Sequence, residues 1–381
     1  CFDTLTIFLT VSPMAKNKAN GDLVDRLIEI NWNNADPEPG DWIALFDHRP
    51  EEGLDDPLET INVTFMDIPT QFLPCHFLGY LKTDYRLDRL PIMTDESRCL
   101  GYWIAYIREE AILMKNCIST FPRWMHELRH DNHPVLHAHY DSFQDESVYR
   151  QLAHGIRYLD VRVGYYPASP DKFWINHNFY RIHPLADLLR DVKRFVDETH
   201  EIVILDFHRF PVGFATGDRH SKLAEFLNSE IGEYATPSSL WPNATPNEIW
   251  ATGKPIILSY SDPETAQQYR FLWPPLPQEW GDKRTLPELK GFLRTALQRR
   301  GGGNQLWAAM AEFTPKPLDI VLRPTQGLRN MAQTVNIPMT FWYQDKSWYT
   351  RSNIIATDFF LGNNIIQTSI IANYKGYNCS R

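Results

Sequence analysis

The sequence predicts an α/β chain, a barrel of parallel strands with helical crossovers preceded by an all-β sandwich domain. Two strand-like stretches predict the barrel. GIRYLDVRV spaces Ile156, Tyr158, Asp160 and Arg162, and EIVILDFHRF spaces Ile202, Ile204, Asp206 and His208. Alternate side chains of an extended strand share a face, so each stretch directs two core-sized groups and then an acid and a base the same way. A packed barrel tolerates charge where a strand emerges at its C-terminal end, and the polar pair falls there.

Further stretches fit in order. WINHNF carries Ile175 and then His177, KPIILSYSD ends in Tyr260 and Asp262, and NIIATDFFLG aligns Ile354, Ala356 and Asp358. Between them Leu185, Leu188, Leu189, Val192, Phe195 and Val196 recur at helical spacing, and LPELKGFLRTALQRR and NNIIQTSIIANYKG read as further helices. Strand and helix in alternation imply parallel pairing with right-handed crossovers. One acid at a strand end serves equally well as the N-cap of the next helix. Four strands ending in acid or imidazole groups point to a site.

Residues 1–112 differ. LTIFLTV, RLIEINW, DWIALFD, INVTF, QFLPCHFLGYLKT and CLGYWIAYIRE are short, aromatic and β-branched, separated by turn-rich pieces such as NNADPEPGD. That pattern predicts a β-sandwich over 1–112, with the barrel over 122–381. GDWIALFD resembles a strand motif of small immunoglobulin-like domains of the SKICH type, which mediate contacts; plain packing accounts for it as well.

At 381 residues the chain exceeds what one core usually fills. Its net charge of −9 argues against nucleic acid and against simple attraction to anionic lipid, so membrane contact would rely on aromatic groups. No run of 18 apolar residues is present. Sequons at Asn62, Asn243 and Asn378, and five cysteines (Cys1, Cys75, Cys99, Cys117, Cys379) without zinc spacing, lead us to expect disulfides or buried thiols in a secreted or secretory-pathway protein. The start at Cys1 fits a mature or truncated form.

QLAHGIRYLDVRVGYY, FWINHNFYRIHPL, EIVILDFHRFP, WAAMAEFTPKPLDIVL and NIIATDFFLGNNII, in that order over roughly 122–373, resemble the PI-PLC X domain-containing proteins, phosphatidylinositol-specific phospholipase C-like phosphodiesterases. The leading β domain looks like that of secreted arthropod-type members. The resemblance implies a distorted TIM-type (β/α) barrel that cleaves a phosphoinositide-type lipid in two steps. One His takes the proton of the inositol 2-hydroxyl, which attacks phosphorus, and a second His protonates the departing diacylglycerol oxygen. His177 matches the second His. Asp160 and Arg162 match a strand that carries two metal-binding acids in the calcium-dependent enzymes; Arg162 in the second position resembles the metal-independent ones, where a guanidinium offsets phosphate charge. No metal or other cofactor is then expected. Asp160 would hold Arg162 or the imidazole, His208 and Tyr260 would line the headgroup pocket, and Asp358 matches the acid that orients the first His.

The chain departs from the family where that first His should stand. A Gly-Thr-His or Gly-Ser-His strand is absent, and FPRWMHELRHDNHPVLHAHYDSFQDESVYRQL runs almost directly to Gln144 and Asp145. His130, His133, His137 and His139 lie nearby; solvated loop positions, a metal site or a substitute base are the readings open to them. Two functional readings follow: an active phosphodiesterase, and a catalytically inactive lipid-headgroup binder or secreted interaction protein. Glycerophosphodiesterases and sphingomyelinase D-like proteins need a carboxylate cluster for a divalent ion, which Asp160-Val161-Arg162 does not supply. Phe271, Trp273 and Trp280 in FLWPPLPQEW, after the KPIILSYSD strand, are the candidates for peripheral membrane contact; ordinary packing of a proline-rich loop against the barrel rim accounts for them as well.

Overall fold

The computed structural model describes residues 5–14, 16–17, 23–24, 26–34, 38–63, 77–87, 99–119, 146–177, 179–242, 244–301, 305–314 and 324–378. The four loop histidines, Gln144, Asp145, Cys1, Cys75, Cys379 and Asn243 lie outside these. The chain is mixed α/β and forms two compact units, residues 1–127 with 315–349 and 358–381, and residues 128–314 with 350–357.

The first unit opens with β1 (Thr6–Val11), β2 (Lys16–Asn17), β3 (Leu23–Val24), β4 (Leu27–Asn34), β5 (Trp42–Phe46), β6 (Glu59–Asn62), β7 (Phe77–Arg86), β8 (Cys99–Arg108) and β9 (Ala111–Ser119). Antiparallel pairing gives a three-stranded sheet, β1-β4-β7, and a four-stranded one, β6-β5-β8-β9, with β2 and β3 as a separate pair. Alternation along the strands turns Ile7, Leu9, Ile28, Ile30 and Trp32 of one sheet and Ile43, Leu45, Ile104 and Tyr106 of the other into one buried cluster. Trp32 lies across its register partner Gly79, where a Cβ would fall 1.7 Å from the indole, so only glycine fits. The expected boundary at 112 cuts β9, which pairs with β8 as far as Ser119. Cys117 is disulfide-bonded, and Asn62 is exposed.

Asp41, which opens the GDWIALFD segment, is buried. It accepts from Arg108 Nε (2.7 Å) and Nη2 (2.8 Å) and from Tyr106 Oη (2.6 Å). These donors, Arg108 foremost, hold its carboxyl down at about 2.

The second unit begins with α1 (Val148–His154), capped by the Ser147 hydroxyl and ended by Gly155 in the left-handed region at φ 116°. Then come β10 (Tyr158–Tyr165), β11 (Phe173–His177), β12 (Tyr180–Pro184), α2 (Leu185–Thr199), β13 (Val203–Val212), α3 (Gly217–Ile231), α4 (Pro246–Ala251), β14 (Ile256–Tyr260), α5 (Pro263–Gln268), β15 (Leu272–Trp273), β16 (Gln278–Glu279), α6 (Leu286–Arg300), β17 (Ala308–Met310) and β18 (Ile354–Ala356). The six apolar residues of the α2 pattern are all buried, as their spacing requires.

One sheet runs β12-β11-β10-β13-β14-β15 and the other β16-β17-β18. Pairing is parallel from β10 through β15 and from β16 through β18. Tyr158 and Ile204 of the first sheet pack with Met310 and Ile354 of the second, so the two share a core. The WINH strand differs from expectation: β11 is antiparallel to β10, and β12 to β11, a hairpin inserted ahead of α2.

Helices α7 (Pro324–Gln344), α8 (Lys346–Tyr349) and α9 (Ile365–Asn378) belong to the first unit. Leu328, Ala332, Val335 and Met339 form the buried stripe of α7. Its Gln333 Nε2 donates to the buried Glu29 Oε1 (3.3 Å), which also accepts from Tyr80 Oη (2.8 Å). No helix among the described residues is long and apolar enough to cross a membrane.

Candidate functional site

Burial alternates along β10. Leu159, Val161 and Val163 are buried on one face, and Tyr158, Asp160 and Arg162 stand on the other. The guanidinium of Arg162 turns back to Asp160, with Nη2 donating to Oδ2 at 2.9 Å and Nε to the same oxygen at 3.3 Å. Both side chains are partly exposed (25% and 18%), so the pair is accessible rather than a sealed core bridge.

His177 reaches this pair from an unexpected direction. β11 runs against β10 with Val163 opposite Ile175 and Gly164 opposite Trp174, and His177, the last residue of β11, lies close enough to the pair to feel the charges of both Arg162 and Asp160. The close approach needs Gly164, whose Cβ would fall 2.4 Å from Asn176 Oδ1. Burial, and then the Arg162 charge, lower His177 from 6.5 to about 4, while Asp160 acts in the opposite sense. The imidazole is therefore neutral in the free protein at pH 7.

On the other side of β10 lies β13. Asp206 is wholly buried and is the register partner of Asp160. Three uncharged groups donate to it: Ser259 Oγ to Oδ1 at 2.8 Å, and Tyr158 Oη (2.8 Å) and Gln278 Nε2 (3.1 Å) to Oδ2. Burial, with the Asp206 charge beside it, pushes the Tyr158 phenol well up. His208 Nδ1 stands 3.6 Å from Asp206 Oδ2. The register slips here, Val161 facing Phe207 and Arg162 facing Arg209, so His208 is the extra residue of a bulge. Arg209, next along, lies over the Trp280 ring at 5.3 Å.

Of the expected site residues, Asp160, Arg162, His177 and His208 gather on three neighbouring strands, β11, β10 and β13. Tyr260 is not with them. Strand alternation gives the inward position to Ser259, and Tyr260 is fully buried on the opposite face against Phe207 and Phe210, its hydroxyl 2.9 Å from His220 Nδ1. Asp262 caps α5, Oδ1 accepting from Thr265 N at 2.9 Å. A polar cavity of about 310 Å³ lies here, lined by Thr216, His220, Ser221, Asp262 and Glu264. Asp358 belongs to the first unit, where its carbonyl accepts from Asn336 Nδ2 at 3.0 Å.

The three membrane candidates separate as well. Trp273 is 1% exposed, donates from Nε1 to Thr236 O (2.9 Å) and packs edge-on to Trp241, so it is core. It lies within the two-residue strand β15 rather than in a loop, and Phe271, just before that strand, is half-buried against Tyr269. Trp280 follows β16 and is 43% exposed, anchored by Nε1 to Thr314 Oγ1 at 3.0 Å. Tyr158, Ser259 and Gln278, which fix Asp206, were not expected as site residues; Tyr158 alone carried a signal, being in step with Asp160. Among the described residues no group of three or more His, Cys, Asp or Glu side chains could hold a metal ion.

These features define a mixed α/β protein with imidazole, guanidinium and carboxylate groups gathered across adjacent strands. No family model matches the chain. Over 237 residues, 61% of this chain, it is 30% identical to PI-PLC X domain-containing protein 1 of Mus musculus and covers 67% of that protein. It is 29% identical over 221 residues to the Danio rerio protein of the same name (57% and 70% covered), and 27% identical over 230 residues to PI-PLC X domain-containing protein 3 of Homo sapiens (59% and 70%). A solved variant of the phosphatidylinositol-specific phospholipase C of Staphylococcus aureus superposes with a TM-score of 0.44 at 12% identity, covering 60% of this chain and 83% of that one. The chain belongs to the PI-PLC X domain-containing proteins.

Proposed function

We propose that the chain is a phosphoric diester hydrolase of the phospholipase C type, cleaving a phosphoinositide-type lipid without a metal ion. One observation carries the reading: Asp160 holds Arg162 beside His177 on adjoining strands, which supports a phosphate clamp next to an imidazole. In this reading the two sheets of the second unit are staves of a distorted barrel, and the antiparallel sheets of the first unit form a sandwich. The exposed sequon at Asn62 and the disulfide-bonded Cys117 support a secreted glycoprotein.

Arg162 would neutralise a phosphate oxygen, and its planar fork would keep that charge in place through the transition state. His177 would protonate the departing glycerol oxygen. Its low affinity for a proton in the free protein stems from burial and from Arg162; a phosphodiester anion seated on Arg162 offsets the second cause and favours the imidazolium where it is needed.

The test is hydrolysis of phosphatidylinositol in mixed vesicles. His177→Ala and Arg162→Ala should each lower turnover at least about a hundredfold with the fold intact, Arg162→Lys should recover little, and activity should persist in EDTA. Near-wild-type rates in either alanine variant, or a strict calcium requirement, would overturn it. The neutral His177 of the free protein favours a second reading, a catalytically inactive headgroup binder; vesicle binding without any product would select it.

A further inference from the structure

We propose that His208, backed by the buried carboxylate of Asp206, is the general base of this site. The inference rests on the phosphodiesterase reading and supplies the group that the departure from the family's first strand leaves unassigned.

Three observations carry it. Asp206 is 0% exposed and held by three neutral donors from three elements, Tyr158 on β10, Ser259 on β14 and Gln278 on β16. A buried carboxylate surrounded by uncharged groups gains most from a cation that forms beside it. His208 is the group poised to become one: Nδ1 faces Asp206 Oδ2 at 3.6 Å and makes no hydrogen bond among the described residues. That gap is just beyond hydrogen-bond length, as is common before substrate binds. With Nδ1–H directed at the carboxylate, Nε2 is left as a bare acceptor, the tautomer a base requires.

The second observation is the bulge. Phe207 and Phe210 both pack on Tyr260, so the two residues between them, His208 and Arg209, turn to the other side. Bulges re-aim side chains in this way. The third is strand order. β11 and β13 flank β10, so the strands that carry His177 and His208 lie on opposite sides of the strand that carries Asp160 and Arg162, the order that suits an acid and a base acting across one phosphorus.

The step balances without a co-reactant. The 2-hydroxyl proton passes to His208 Nε2, the freed oxygen pair forms the new O–P bond, the bond from phosphorus to the glycerol oxygen breaks, and that oxygen takes its proton from His177. The products are a cyclic inositol phosphate and diacylglycerol. Asp206 is a positioning residue, acting through His208.

Changing the leaving group tests it. The full chain is assayed on phosphatidylinositol vesicles and on soluble myo-inositol 1-(4-nitrophenyl phosphate), whose phenolate departs without a proton. His208→Ala, and the closer mimic His208→Gln if the alanine variant unfolds, should lose at least about a hundredfold on both esters, with free imidazole restoring part of the alanine variant's rate. His177→Ala should lose as much on the lipid but less than about tenfold on the aryl ester. Asp206→Asn should lower kcat on both with KM within about twofold. Folded His208 variants that keep near-wild-type rates while His177→Ala fails on the lipid would overturn the base and leave the phosphodiesterase reading standing. If the wild-type chain cleaves neither ester, both fall together.

Discussion

The titration of His177 is the sharpest electrostatic consequence of the site. The folded chain holds this imidazole at about 4 against 6.5 for an ordinary His, so the folded state binds the proton more weakly than the unfolded one. Above pH 6.5 both states are neutral and nothing is lost; as pH falls from 6.5 towards 4 the unfolded chain is favoured. At 1.36 kcal/mol per pH unit the gap sets an upper bound of about 3 kcal/mol, and solvent reaching the half-buried ring reduces the expected loss to about 1–2 kcal/mol. Urea unfolding of wild type and His177→Gln at several pH values should show this loss in the wild type relative to the variant. NMR titration of the imidazole gives the midpoint directly. Arg162→Met should raise that midpoint by removing the second of its two depressing causes, and inositol phosphate bound at Arg162 should raise it too. A midpoint at or above 6.5, or one that Arg162→Met leaves unmoved, would refute the placement of His177 beside the guanidinium.

Two further outcomes follow from residues outside that cluster. Trp273→Ala should cost about 3–5 kcal/mol in urea unfolding, because it empties a core position, whereas Trp280→Ala should keep wild-type stability and weaken flotation with phosphatidylinositol vesicles. Asp41→Asn should cost about 2 kcal/mol by weakening charge-assisted bonds from Arg108 and Tyr106; because Asp41 lies at about 2 in the folded chain against 3.8, the wild-type advantage should be present above pH 4 and disappear as pH falls towards 2.

The parallel strands and α2 were legible because burial enforces a period: Asp160 and Asp206 lie in step with Tyr158 and Ile204, and the α2 stripe has helical spacing. The direction of β11 was not, since WINH reads the same whichever way it pairs; the reversal depends on residues 166–172 turning the chain back. Tyr260 was misplaced by one residue of register, as KPIILSYSD is apolar on both faces and Ser259, the inward group, looks like filler. Trp273 was not legible for a related reason. A two-residue strand followed by two prolines carries too little pattern to be told from a loop, so membrane contact and rim packing were both open for Trp273, whose indole N–H satisfies a buried carbonyl. Family membership reached what periodicity could not, the association of His177 with Arg162 across an antiparallel turn.

The bulge in β13 bears on how such a site changes over time. An ordinary strand spends every second residue on each side, so inserting or removing one residue inverts everything beyond it, and most such events are ruinous. Between Phe207 and Phe210 the count is already uneven: two outward aromatic rings bracket two inward polar groups. Losing one of that inner pair would restore plain alternation, leave both rings on Tyr260, and subtract a single functional group from the mouth of the sheet. A single codon gained or lost there is thus a route by which relatives of this chain can acquire or shed an imidazole or a guanidinium without disturbing the layer that keeps them folded.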